Sequence, residues 1–250
     1  MTDMTDLTAP FRAGSGDVGV VFCHGFTGSP MSLREWAERT ADAGHRVSLP
    51  RLPGHATTWR ELDVTTWQDW YGRVEREYLS LRRDCERVFV AGLSMGGTLA
   101  LRLAERHPDV AGAMVANPAL ALTDRRALLA PVLKRFITST ASIGNDIARP
   151  GINERSYDRT PMRALHELLK LIVDVRTTLD LITCPLLIFR SAVDNVVSGT
   201  SVDIIQRQAS STDIRIVELA NSLHVATMDI DREQIFADSA ALIDEITARR

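Results

Sequence analysis

The sequence predicts an α/β protein: a mostly parallel sheet covered on both faces by helices. Three observations lead there. Short, continuous apolar runs rich in β-branched residues recur along the chain, as in strands buried on both faces. Helical patterns separate these runs, and such alternation yields parallel strands joined by helical crossovers. The 250 residues, 45% of them apolar and 24% charged, suffice for one domain with a full core.

The first strand is expected over residues 18–23, "VGVVFC". A polar turn, "HGFTGSP", then leads into a helix over 31–43, with Ser29 as N-cap, Pro30 in the first turn and Gly44 as the stop. Residues 46–49 form the second strand, which ends in the loop "PRLPGH". Thr66 caps a long helix reaching about residue 84. A strand over 88–91, a helix over 95–107 and a strand over 112–116 follow. Toward the end of the chain come strands at 185–189 and 214–219, with helices over 199–209 and 232–248.

One region departs from this rhythm. Residues 117–160 hold helical fragments, the breakers Pro131, Gly144 and Pro150-Gly151, and no convincing strand. So long a segment between two sheet strands reads as an inserted cap over a site, the alternative being an extended crossover. The expected organisation is a core formed by 1–116 and 161–250, with 117–160 as the cap.

Composition excludes several function classes. The net charge of −3 offers no basic field for nucleic acid or an anionic membrane. Three widely spaced cysteines, Cys23, Cys85 and Cys184, match neither a disulfide framework nor a zinc site, and they favour a reducing, cytoplasmic compartment. The N-terminal "MTDMTDLTAPFRAGSG" has neither the basic start nor the apolar stretch of a secretory signal. No apolar run reaches the roughly 18 residues of a membrane span.

The chemistry concentrates in "VFVAGLSMGGTLALRLAERH", residues 88–107. Ser94 stands between an expected strand and an expected helix, with Gly92 and Gly96 two residues to either side. This G-x-S-x-G pattern forms a sharp turn that lifts the serine hydroxyl clear of the backbone at the carboxyl end of the sheet. The start of the following helix adds positive potential and free N–H groups.

A serine hydroxyl becomes nucleophilic when a base takes its proton, usually an imidazole oriented by a carboxylate. In this architecture the chain order is serine, acid, histidine. Two histidines lie in the C-terminal half. His166 falls within a helical pattern, whereas His224 follows the strand at 214–219 and is the expected base. Asp194, in the turn after "CPLLIF", is the expected acid; Asp174, Asp180 and Asp203 lie in helical patterns, and Asp213 opens a strand at the wrong end. Two backbone amides would hold the oxyanion, that of Met95 after the nucleophile and that of Phe26 in "CHGFTG". His24 is expected to brace its own loop, with Arg51 and His55 buttressing the neighbouring one.

Together, "HGFTGSP", "LPRLPGH", "GLSMGGTLAL", "CPLLIFRSAVDNVV" and "NSLHVAT" resemble the bacterial monoacylglycerol lipases and related small carboxylesterases of the α/β-hydrolase superfamily, from about Val18 to the final helix. "SIGNDIARPGINERSYDRTP" resembles part of that family's small cap. The resemblance implies nucleophile, acid and base at Ser94, Asp194 and His224, oxyanion amides at Phe26 and Met95, and no metal or organic cofactor. It implies a substrate of one fatty chain esterified to glycerol, with Ile143 on the cap side of the acyl site and Glu154 recognising glycerol hydroxyls. A general short- to medium-chain carboxylesterase without glycerol preference is the alternative, followed by an acyltransferase or a catalytically inactive binding module. One departure is Val197-Ser198, where related sequences often carry Val-Pro. Apolar residues of the cap, among them Leu128, Leu129, Val132, Leu133, Phe136 and Ile137, are expected mostly to seat it on the core, with some facing an acyl chain and some available for transient contact with a membrane or micelle.

Overall fold

Val18–Cys23 carries no polar side chain, and all six residues are buried, as befits an interior strand. The computed structural model describes residues 6–142 and 144–248. In its first half the elements are β1 (Phe11–Ala13), β2 (Val18–Cys23), α1 (Arg34–Asp42), β3 (Arg46–Leu49), α2 (Trp59–Leu62), α3 (Trp67–Asp84), β4 (Arg87–Leu93), α4 (Met95–Arg106) and β5 (Ala113–Ala116). Then come α5 (Ala130–Leu133), β6 (Ser139–Ala141), β7 (Arg159–Pro161), α6 (Met162–Arg176), β8 (Leu186–Ser191), α7 (Thr200–Gln208), β9 (Ile214–Leu219) and α8 (Arg232–Ala248).

Seven strands form one sheet in the order β1-β3-β2-β4-β5-β8-β9. All neighbours are parallel except β1, which runs antiparallel to β3 at the edge. Side chains alternate across the sheet with period two. Val20 and Phe22 of β2 face one apolar cluster with Trp36 of α1 and Leu242 of α8. Val21 and Cys23 face the other, with Trp70 and Val74 of α3 and Leu99 of α4. Helix α3 buries Trp70, Val74, Tyr78 and Leu81, spaced by three or four residues, and starts at a complete capping box between Thr66 and Asp69.

Sheet order explains where a site forms. The chain lays β3 on one side of β2 and then β4 on the other, so the loops leaving β2 and β4 diverge at their carboxyl ends. A crevice opens at such a switch point.

The segment between β5 and α6 differs from expectation. This segment holds a two-stranded antiparallel hairpin of β6 and β7, with Ser139 opposite Pro161 and Ala141 opposite Arg159, so its second strand runs one residue past the expected boundary at 160. Three-residue strands at such separation leave no periodicity to read, and β1 and α2 escaped notice for the same reason of length. The apolar residues of this segment also sit differently. Leu128, Leu129, Val132, Phe136 and Ile137 are exposed, Phe136 by 81%, so few of them seat the segment on the core. No helix among the described residues is long and apolar enough to cross a membrane.

Candidate active site

Ser94 is the single residue between β4 and α4, with φ 57° and ψ −121°. This is a strained conformation for a side-chain-bearing residue, costing on the order of 1–3 kcal/mol. Backbone bonds on both sides hold it there: the Ser94 N–H donates to the Ala116 carbonyl over 2.9 Å, and its carbonyl accepts from the amides of Thr98 and Ala119. The flanking glycines are obligatory. A Cβ on Gly92 would stand 2.2 Å from the Gly96 carbonyl oxygen, and one on Gly96 would stand 1.7 Å from the Cys23 carbonyl oxygen. Strand β2, helix α4 and the serine turn approach too closely for anything larger.

His224 lies on the loop after β9 and Asp194 on the loop after β8. The two side chains meet, His224 Nδ1 lying 2.8 Å from Asp194 Oδ2, with each only 8% exposed. The other carboxylate oxygen of Asp194 accepts from the amides of Val196 (2.8 Å) and Val197 (2.7 Å), which fixes the acid in its turn. With the carboxylate accepting at Nδ1–H, Nε2 is left as the basic nitrogen. Ser94 and His224 line the same cavity, which also takes in Gly25, Phe26 and Thr27 of the loop after β2. The turn after β4 and the loop after β9 thus place the serine and the imidazole on one cavity, and the loop after β8 sets the carboxylate against the imidazole.

Met95 is the first residue of α4, so its amide is one of the unpaired donors at a helix start. Phe26 lies in the β2 loop on the cavity wall, and neither amide donates to a protein acceptor among the described residues. Thr27 beside it takes φ 61°, and its carbonyl accepts from the Tyr157 amide of the inserted segment. His24 braces this loop: its Nε2 accepts the Leu52 amide at 3.1 Å, so Nδ1 carries the proton given to the Gly25 carbonyl at 3.0 Å. Burial lowers the His24 pKa to about 4, which keeps the ring neutral. His55 packs edge-on against His24 and Trp70, and Arg51 is exposed.

The cavity measures about 480 Å³. Its lining includes the apolar Leu122, Leu133, Met162, Leu165 and Leu168 together with Glu154, Asp146 and the β2 loop. Glu154 is buried, and its Oε1 accepts the Asn145 amide at 2.9 Å while its own amide donates to Asn145 Oδ1 at 3.0 Å. Ile143, the other residue expected from the cap, lies outside the described residues.

Two further residues escaped sequence reasoning. Asn117, just after β5, has φ 44° and joins the ends of β5 and β8 to the histidine loop. Its Oδ1 accepts the Ser191 amide, and its Nδ2 donates to Ser191 Oγ and to the His224 carbonyl. The carboxylate of Asp229 accepts the amides of Ala148, Arg149 and Leu223, tying the inserted segment to the same loop. An Asn-Pro pair such as Asn117-Pro118 favours a turn, but nothing in the sequence points to the partners of either residue.

Residues 16–231 match the family described as serine aminopeptidase, S33. A thermostable monoacylglycerol lipase from Bacillus sp. (strain H-257) is 45% identical over 235 residues, covering 92% of each chain. A carboxylesterase from Bacillus subtilis (strain 168) is 26% identical, covering 95% of this chain and 96% of its own. A solved structure from work on LipS and LipT, two metagenome-derived lipolytic enzymes, superposes with a TM-score of 0.93 at 35% identity, covering 96% of this chain and 98% of the other.

Proposed function

The chain belongs to the serine aminopeptidase S33 family and has the α/β-hydrolase fold, and from that premise we propose that it hydrolyses monoacylglycerols to fatty acid and glycerol. The observation that carries the reading is the buried Asp194–His224 pair, whose imidazole lines the same cavity as the strained serine, together with leucine and methionine side chains.

Ser94 Oγ attacks the ester carbonyl as His224 Nε2 takes its proton, and Asp194 stabilises the resulting imidazolium. The tetrahedral oxyanion is held by the Phe26 and Met95 amides, donors each worth about 2.7–4 kcal/mol of barrier. Glycerol departs with the proton from His224, leaving an acyl-enzyme on Ser94. Water, deprotonated by His224, then releases the fatty acid.

The inserted residues 117–160 act as the cap. Leu122 and Leu133, with Met162, Leu165 and Leu168 of α6, line the acyl passage, where each methylene buried is worth about 0.8 kcal/mol. Glu154 supplies a carboxylate for glycerol hydroxyls. The exposed Leu128, Leu129, Val132, Phe136 and Ile137, with Lys134 and Arg135 among them, suit transient contact with the membrane or micelle that holds the substrate. Three free, buried thiols support a cytoplasmic location.

The test is a panel of mono-, di- and triacylglycerols and simple butyrate esters, run on the wild type and on Ser94→Ala. Preference for monoacylglycerols, lost with fluorophosphonate labelling in Ser94→Ala, is the expected result. Equal rates on butyrate esters would favour the carboxylesterase reading, and substantial triacylglycerol turnover would oppose a single-chain site.

A further inference from the structure

Asp146 belongs to the inserted segment, yet its carboxylate is bound by the two loops that carry the acid and the base. Oδ2 accepts the His224 amide at 3.2 Å and the Asn195 amide at 3.2 Å, and Oδ1 accepts Asn195 Nδ2 at 2.8 Å. The Asp146 carbonyl accepts a fourth bond, from the Val225 amide at 3.0 Å. Asn195 directly follows Asp194, so a single carboxylate anchors the backbone next to the acid and the backbone of the base itself.

The neighbours of Asp146 are themselves pinned. Asn145 takes φ 65° and exchanges two hydrogen bonds with Glu154, and the amides of Ala148 and Arg149 bind Asp229. The strap across 145–149 is therefore a fixed arm reaching from the inserted segment to the carboxyl ends of β8 and β9, and Asp146 is the residue of it that binds the backbone of His224 and of Asn195.

We infer that Asp146 is a positioning residue for the reaction, holding the Asp194 and His224 loops in register through hydrogen bonds from the inserted segment, so that the insertion helps assemble the reacting groups as well as covering them. The inference rests on the reading of Ser94, Asp194 and His224 as the reacting set. It predicts a loss in kcat with little change in KM, because the groups displaced act on the bond being broken.

The experiment uses the full-length protein, with p-nitrophenyl butyrate turnover and the rate of fluorophosphonate labelling as readouts and Ser94→Ala as control. Asp146→Ala lowers kcat and the labelling rate about 10- to 100-fold, the scale of a misplacement near 1 Å, while KM moves little. Asn195→Asp sets two carboxylates against each other and lowers kcat similarly. The exchange Asp146→Asn/Asn195→Asp restores an amide facing a carboxylate and keeps an acceptor oxygen for the backbone, and it recovers kcat to within about threefold of wild type. That rescue also stands where Asp146→Ala proves unstable.

Unchanged kcat and labelling in Asp146→Ala, a change in KM alone, or an exchange variant no better than Asn195→Asp overturns the proposal. Turnover surviving in Ser94→Ala overturns the underlying reading and this inference with it. Turnover lost in Ser94→Ala but intact in Asp146→Ala overturns the inference alone.

Discussion

The side chain of Asn117 donates to the main-chain carbonyl of His224 across 2.8 Å, although 107 residues separate the two. The same amide group also binds Ser191 at the end of β8, so one residue ties three carboxyl ends of the sheet together. His224 is thereby held from both sides of its peptide, by Asn117 at the carbonyl and Asp146 at the amide.

Replacing Asn117 by Ala leaves the buried Ser191 amide and the His224 carbonyl without this partner. Each orphaned group costs about 1–3 kcal/mol. The left-handed backbone at this position, which asparagine tolerates better than alanine, adds to the loss. Urea denaturation should show a lower midpoint at unchanged slope, and the folded fraction should show reduced kcat.

Asp194→Asn keeps the shape of the acid but can present its amide to His224 Nδ1. The imidazole then takes the other tautomer, with the proton on Nε2 and no base facing the serine. Turnover should fall by about 10⁴-fold with the fold intact. Stopped-flow measurement of acylation and a thermal melt check the two halves of this expectation; near-normal acylation would remove Asp194 from the reacting set.

Gly96→Ala places a Cβ 1.7 Å from the Cys23 carbonyl oxygen, backbone against backbone. Relief requires moving the end of β2 away from α4, at more than about 3 kcal/mol, a large part of a typical domain's stability. Gly25→Ala is the contrast: its Cβ would meet Ser94 Cβ at 3.6 Å and Leu93 O at 3.7 Å, ordinary contacts. Thermal unfolding should separate the pair by several degrees, and equal midpoints would refute the tight-turn account.

His24 gives a pH dependence whose sign follows from its depressed pKa. Burial lowers it from 6.5 to about 4, so the unfolded chain takes up the proton first as the pH falls. The contribution is complete above about pH 6.5 and is lost as the pH falls toward 4, by about 3 kcal/mol in all. His55, also buried and also held well below its ordinary value, acts in the same direction. Denaturation midpoints in urea should drop across this range in the wild type and drop less in His24→Gln; parallel curves would show that His24 does not bear the proton linkage.

The parallel sheet was legible because several of its strands contain continuous apolar runs. Val18–Cys23 and residues 185–189 could be read as strands without knowing their neighbours, and the glycines around Ser94 announced a turn that tolerates no side chain. Chain order then pointed to Asp194 and His224, since strand ends are where loops can meet. The hairpin of β6 and β7 was not legible, because three-residue strands depend on a partner some twenty residues away rather than on a pattern of their own. Nor was the outward orientation of Phe136 and its neighbours, because an apolar side chain looks the same in sequence whether it faces the core or solvent.

By itself, the sequence determined the alternation of strand and helix, the tight serine turn and the residue types needed for acyl transfer, since these follow from local sterics and from chemistry each residue carries alone. Only the tertiary structure decided what holds them together. Asn117, Asp146 and Asp229 are ordinary polar residues until folding brings them to amides and carbonyls 74 to 107 residues away or in neighbouring loops. A hydrogen bond depends on distance and direction in space, and the order of residues along the chain records neither.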